Sequence, residues 1–281
     1  MTSGTVLVGL GRLGGAGETA LEWAADEAHA RGARLVVVRT YRLAGGGEDA
    51  RTAALDLDLL RDLRRSAELH LVSGLDRLRR RHPDLPVGCY AVEGRPAQVL
   101  GRLSAAALLT VVGNRRVRRI GSVNAALAAA AHGPVVATGA RRPPPAARPA
   151  IVVALDGGAD TDEVLAFAFD RAARYRRPVC AVTSRTPAGV PWVPDRAYAA
   201  LGEWRSRCPG VEVELRVVTE PAPEAYLAAC AGQDLLVIGN RARHPTAARS
   251  GPLSRGLLRR AGCPVAVIHP RTPVRDAAAQ T

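Results

Sequence analysis

The residues of this chain best suited to chemistry are glycines and arginines that recur in one arrangement, twice. LLTVVGNRRVRRIGSVNAALAAAAHGPVVAT, ending at Thr138, returns as LLVIGNRARHPTAARSGPLSRGLLRRAGCPVAVI, ending at Ile268. In each copy an apolar run breaks at Gly-Asn-Arg, crosses an arginine-bearing loop, meets another glycine and resumes as an amphipathic segment followed by Pro-Val. That pattern predicts strand, loop, helix and strand. A loop between a strand's carboxyl end and a helix's amino end gathers backbone N–H groups at the positive end of the helix dipole, a geometry that holds phosphates. The candidate chemistry is therefore anion binding, at two related loops.

Other chemistries find less support. The five cysteines, at 89, 180, 208, 230 and 263, form no CxxC pair and have no histidine at zinc-finger spacing. An odd number without a framework reads as free thiols in a reducing cytoplasm, mostly small buried hydrophobes. Histidines 29, 70, 82, 132, 244 and 269 are scattered without metal-ligand spacing. No P-loop, no SGGxDS-like pyrophosphatase loop and no H-x-G-H pair occurs, so no catalytic residue and no metal site is assigned. The net charge of +13 comes from arginine alone, since the chain has no lysine. Arginine forks suit phosphate and carboxylate. The clusters Arg61/Arg64/Arg65, Arg79/Arg80/Arg81, Arg115/Arg116/Arg118/Arg119 and Arg259/Arg260 are dispersed and lack the stacking aromatics of single-strand readers. They read as solvated helix faces, and nucleic acid is not an expected partner. Glu18, Glu22 and Asp26, one turn apart, are expected to be solvated or paired with arginines.

The elements that must position these loops follow from the periodicity. With 281 residues, 47% hydrophobic and 4% aromatic, the chain suits two domains with cores of Ala, Val and Leu. GARRPPPAARP at 139–149 interrupts the pattern, and IVVALDGG restarts it. The expected organisation is a first domain at 1–140, a Pro/Arg linker at 141–149, a second domain at 150–271 and a tail at 272–281. Such a linker is extended and too short to let the halves separate far. Strands are predicted at TVLVGL, LVVVRTY, PVGCYAV, LLTVVG and PVVAT, with helices at about 19–31, along the stripe from Leu60 to Leu78, at PAQVLGRLSA and at 124–132. The second half repeats that order, and VEVELRVV, alternating apolar and charged, reads as an exposed edge strand. Strands alternating with helices predict α/β architecture: in each domain a five-stranded, mostly parallel sheet with helices on both faces. Trp23 is expected in the core or between domains. No apolar run approaches the about 20 residues that span a bilayer and the opening strand lacks a basic leader, so the chain is expected to be soluble, cytoplasmic and free of membrane.

At this point the chain resembles a tandem universal stress protein. That family's domain opens with a strand running into an Asp-Gly turn and closes with G-x-x-G, eight or nine residues, G-[S/T], a helix and a final strand. IVVALDGG at 151–158 resembles the opening and RAGCPVAVI at 260–268 the ending, while VGLGRLGGAGETALEWAADEAHARGARLVVV resembles the opening of the first half. The resemblance implies a Rossmann-like, adenine nucleotide alpha hydrolase-like fold in each half. It also implies candidate nucleotide contacts at Leu155, Asp156, Gly157, Ser184, Gly239, Asn240, Gly251 and Leu253 in the second half, and at Gly113, Gly121 and Ser122 in the first. For Asp156 the alternative is a turn or helix-cap aspartate.

Both copies depart from the nucleotide-binding pattern. In the second half Ala242 stands where the second glycine belongs, and Gly251 is followed by Pro252, which lacks both an N–H and a hydroxyl. In the first half Arg116 replaces the second glycine, only four residues separate it from Gly121, and Gly9-Leu10-Gly11-Arg12 offers no aspartate. Arg115 to Arg119 could substitute guanidinium forks for the missing donors, or form a solvated basic loop. The leading expectation is a non-catalytic stress-response protein, regulatory or scaffolding, with weak or absent ATP binding, magnesium entering only with ATP, and a protein partner. The alternative is an ATP-binding switch in the second half. An enzyme is the third class and the least supported. The resemblance further implies that PVVAT and PVAVI pair the domains within the chain, which would then be a monomer or a homodimer.

Overall fold

Uninterrupted runs of Val, Ile, Leu and Ala form strands buried on both faces, as a parallel sheet covered by helices requires. The computed structural model describes residues 4–11, 15–42, 50–114, 123–139, 146–155, 158, 160–184, 194–240 and 252–269, without side chains at 50–57, 194–196 and 252–253. The first half runs β1 (Thr5–Gly9), α1 (Ala16–Arg31), β2 (Arg34–Tyr41), α2 (Ala50–Arg81), β3 (Val87–Glu93), α3 (Pro96–Leu103), β4 (Leu109–Gly113), α4 (Val123–Ala130) and β5 (Val135–Thr138). The second runs β6 (Ile151–Ala154), α5 (Thr161–Tyr175), β7 (Val179–Ser184), α6 (Pro194–Arg207), β8 (Val213–Val218), α7 (Ala222–Ala229), β9 (Leu235–Gly239), α8 (Pro252–Arg260) and β10 (Val265–Ile268).

The two five-stranded sheets are one. Strand order is β3-β2-β1-β4-β5-β10-β9-β6-β7-β8, parallel within each half and antiparallel only where β5 meets β10. The expected pairing of PVVAT with PVAVI is thus the seam of the molecule. Val136 lies opposite Ala266, each the second residue of its strand, with Val135 opposite Val267 and Ala137 opposite Val265. One apolar core underlies α1, α2, α5 and α6 and runs across both halves; the other underlies α3, α4, α7 and α8. The edges are β3 and β8, and β8 carries exposed Leu215 and Val217, as its alternating sequence predicts.

Helix ends follow local chemistry. Pro96 opens α3 at a position where its missing N–H is not needed. Gly32 ends α1 in the left-handed region, φ 60°, its N–H turned back to His29 O. Helix α1 begins at Ala16, three residues before the start read from its apolar spacing, because its first turn is buried against the end of β4. In the described part of the linker Ala146 N donates to Gly232 O, and just after the linker Ala150 N donates to Gln233 Oε1, tying the entry of β6 to the second half.

Across the seam, α1 faces α5. Their buried residues Leu21, Ala24, Ala25 and Ala28 match Leu165, Ala168, Phe169 and Ala172 at one constant offset, and on that offset Glu27 corresponds to Arg171. These two counterparts form a buried ion pair. Arg171 also binds Asp234 at 3.1 Å, and its guanidinium lies 4.5 Å from the Trp23 ring centroid and 4.2 Å from that of Tyr175. Glu27 is fully buried and fully engaged: Arg31 Nε donates to Oε1 at 2.6 Å, and the Tyr175 hydroxyl donates to Oε2 at 3.0 Å. Trp23 is therefore an interdomain residue.

Candidate functional site

In each half the strand order reverses between the first and fourth strands, and ligands of doubly wound sheets bind in the crevice that opens there at the carboxyl ends. In the second half this crevice lies between β6 and β9. Leu155, buried, continues β6 by donating its N–H to Val182 O at 2.9 Å. Ser184 closes β7, with its hydroxyl donating to Glu220 O in the turn before α7. Gly239 closes β9, and the next residue, Asn240, donates its N–H to Ile268 O at 2.8 Å.

The fourth wall is the amino end of α5, and it is acidic. Asp160 precedes the helix, with Asp162 and Glu163 in its first turn. Asp160 is 7% exposed, and its carboxylate packs on Gly239: a Cβ at 239 would fall 2.2 Å from one of its oxygens. Gly239 is thus required by the close approach of a carboxylate, whatever else the loop does. A helix amino end attracts anions through its dipole and free N–H groups. Here three carboxylates already occupy that field. Thr161 N and its hydroxyl both turn to Gly158 O, at 3.2 and 2.6 Å, which tightens the same corner.

The first half is closed differently. Leu10 N donates to Val38 O at 2.8 Å, the counterpart of the Leu155 contact, so in sequence Gly11 corresponds to Asp156 of the second half. Arg39 Nη1 donates to Gly11 O at 2.5 Å and to Leu10 O at 3.4 Å, placing a guanidinium at the end of β1. A Cβ on Gly113 would lie 2.4 Å from Ala16 O and 3.1 Å from Gly17 N, so the backbone of α1 itself seats on the end of β4. Nothing in the sequence reading singled out Arg39 or Asp160. The available signal was a charge placed at the end of the second strand and another just before a helix, inside a crevice defined only by the strand order.

The Gly-Asn motif has a second role that sequence spacing did not suggest. Asn240 Nδ2 donates to Ala128 O in α4 at 2.9 Å, and Asn114 Nδ2 donates to Leu258 O in α8. Each asparagine follows the fourth strand of its half and reaches the last turn of the final helix of the other half, where carbonyls lack intrahelical donors. His269 Nε2 donates to the same Ala128 O at 2.7 Å, which requires the proton on Nε2. Asn124 Nδ2 adds a bond to Asn114 Oδ1 at 3.1 Å. The asparagines that follow β4 and β9 therefore clasp the two halves.

Of the candidate residues, the structure brings Leu155, Ser184, Gly239 and Asn240 to the second crevice and Gly113 to the first. Asp156, Gly157, Gly251, Gly121 and Ser122 lie outside the described residues, as do Arg115 to Arg119, and Leu253 is described only as backbone of α8. Among the described residues no three His, Cys, Asp or Glu side chains form a metal-sized group, and no helix is long and apolar enough to cross a membrane.

Comparison with known proteins places this arrangement. A universal stress protein from Archaeoglobus fulgidus DSM 4304 superposes on 95% of this chain and 96% of its own, with a TM-score of 0.74 and 15% identity. A functionally unknown protein from Pseudomonas aeruginosa PAO1 does so over 96% and 94%, at 0.61 and 17%. A universal stress protein crystallised with cAMP aligns with 44% of this chain and 98% of its own, at 25% identity and a TM-score of 0.36. A search of curated proteins returns no match. The sequence profile of the universal stress protein family matches residues 3–138 and, again, 148–269. Each half of the sheet thus coincides with one match, and the chain belongs to the universal stress protein family, carrying its domain in tandem.

Proposed function

We propose that this chain is a non-catalytic stress-response protein, regulatory or scaffolding, that acts in the cytoplasm through a protein partner and binds ATP weakly or not at all. The observation that carries the reading is the carboxylate of Asp160 seated on Gly239, with Asp162 and Glu163 behind it, where a nucleotide would present its phosphates. Phosphate binding there sets like charges together in a partly dehydrated corner. In the glycine loop Pro252 lacks an N–H and a hydroxyl where Ser or Thr would offer both, and Ala242 lacks the backbone freedom of the glycine it replaces. In the first half, the seating of the α1 backbone on Gly113 supports the same conclusion.

The test is a calorimetric titration of ATP with magnesium into the nucleotide-stripped chain, beside Asp156→Ala and Asp160→Ser. The wild type is expected to give no binding heat up to millimolar ATP, and Asp160→Ser to bind more tightly than the wild type. Micromolar binding by the wild type that is lost in Asp156→Ala would replace this reading with a nucleotide switch in the second half.

A further inference from the structure

One edge of the sheet ends on a strand whose sequence is its own complement. β8 is the outermost strand of the second half, and among the described residues β7 is the only strand that pairs with it. About Leu215, the run Val213, Glu214, Leu215, Arg216, Val217 matches valine with valine and glutamate with arginine. Edge strands are commonly blunted by proline, a bulge or unbalanced charge, because their unpaired backbone groups invite another strand. β8 holds no proline, keeps unbroken register with β7 from Val213 to Val218, and its two charges cancel.

The register fixes which backbone groups face outward. Val179 lies opposite Val213 and donates its N–H to Glu212 O at 2.8 Å. In a parallel ladder the bonds go to the residues flanking the opposed one, so Glu212, Glu214 and Arg216 turn their backbone groups to β7. Val213, Leu215 and Val217 turn theirs to the open edge. The side chains divide in the same way. Leu215 and Val217 are exposed on the face where Val213 packs against the core beneath α5 and α6. Glu214 and Arg216 share the other face, where Arg216 Nε and Nη2 donate to the Glu214 carboxylate at 2.7 and 2.9 Å.

We propose that β8 is a docking edge for a second copy of this chain, whose own β8 pairs with it antiparallel about a two-fold axis through Leu215. Leu215 then meets its own copy and Val213 meets the partner's Val217. These positions carry the outward backbone groups, so they become the hydrogen-bonded pairs. Glu214 and the partner's Arg216 fall on the alternate, non-hydrogen-bonded positions, where opposed side chains approach most closely. Together with the pair already formed inside each strand, the four charges alternate in sign around a square. Moving the axis to Glu214 or to Arg216 would set that charge against its own copy, so the charges select the register. On the other face, the apolar side chains of the two strands cover one another. The contact leaves untouched the seam of β5 and β10, which pairs the domains within one chain. A pairing this short makes a reversible dimer.

The test is sedimentation equilibrium of the full chain over a concentration series, beside Glu214→Arg and Arg216→Glu. The wild type is expected to pass from the mass of one chain to that of two as concentration rises. Each variant opposes like charges in both cross-strand charge pairs and is expected to raise the dimer dissociation constant about tenfold or more. Mixing the two variants sets arginine against glutamate again, and the dimer is expected to return. That return requires both variants to be folded, which separates lost pairing from lost structure. A wild type with the mass of one chain at every concentration, a dimer that neither variant weakens, or a mixture that associates no better than its components would overturn the proposal.

Discussion

Tyr175 keeps its proton at pH values where a tyrosine of an unfolded chain loses it. Burial raises its pKa above 10.0, and the charge of Glu27, to which its hydroxyl donates, raises it further. The sign of the effect on stability follows from linkage. Above about pH 10 the unfolded chain releases this proton while the folded chain retains it, so rising pH favours unfolding. The contribution is complete below pH 10 and is lost as pH climbs toward the higher folded value. Tyr175→Phe is expected to be less stable than the wild type at pH 8, having lost the bond to Glu27, and to show a shallower decline between pH 10 and 11.5 in urea melts. Equal slopes would mean that Tyr175 ionises alike in both states. Asn114 and Asn240 show the same logic without charge. Each satisfies a carbonyl at a helix terminus of the other half, so these loop residues support assembly as well as any ligand.

At the scale of elements, duplication lets one terminus report on another. Helix α1 stops at Gly32 with φ 60°, and α5 stops at its counterpart Arg176 with φ 51°. A non-glycine residue in that region carries about 1–2 kcal/mol of strain, partly offset by the greater unfolded-state entropy of glycine. Arg176→Gly is therefore expected to stabilise the chain by about 1 kcal/mol, read as a higher urea midpoint at unchanged slope. A neutral result would mean that Arg176 makes compensating contacts. The element order was legible from the sequence because buried parallel strands are apolar runs and the helices between them keep their period. The start of α1 was not, since Ala16 and Gly17 owe their helical place to the end of β4. Gly113 and Gly239 were legible as glycines at strand ends, where the sequence suggested a phosphate loop. What approaches them, Asp160 in one half and the Ala16 backbone in the other, depends on how the first helix seats on the fourth strand, which spacing does not encode. Glu27 and Arg171 did leave a sign: each falls on the apolar stripe of its helix, where a charge needs a buried partner.

The whole molecule is an internal dimer, and its axis passes where β5 meets β10 and α1 faces α5. In a symmetric pair of identical domains, a residue on the axis meets its own copy. Val136 opposite Ala266 keeps that geometry with small apolar groups, whereas Glu27 opposite Arg171 has diverged to opposite charge. Pairing two first domains would bury glutamate against glutamate, and pairing two second domains would bury arginine against arginine. The buried pair thus selects the mixed pairing through repulsion in both alternatives. Its contribution to stability is a separate matter, because removing both charges of a buried pair is far less damaging than removing one. Arg171→Met is expected to lose about 3–5 kcal/mol, because it takes the guanidinium away from the Glu27 and Asp234 carboxylates in the interior. Glu27→Met combined with Arg171→Met is expected to recover part of that loss in urea unfolding while weakening the choice of partner. Size-exclusion chromatography with light scattering reads that choice: the double variant should populate intermolecular dimers, in which equivalent domains of two chains pair, at protein concentrations where the wild type does not. If the double variant keeps the oligomeric state of the wild type at every concentration, the seam of β5 and β10 sets the pairing without help from the charges.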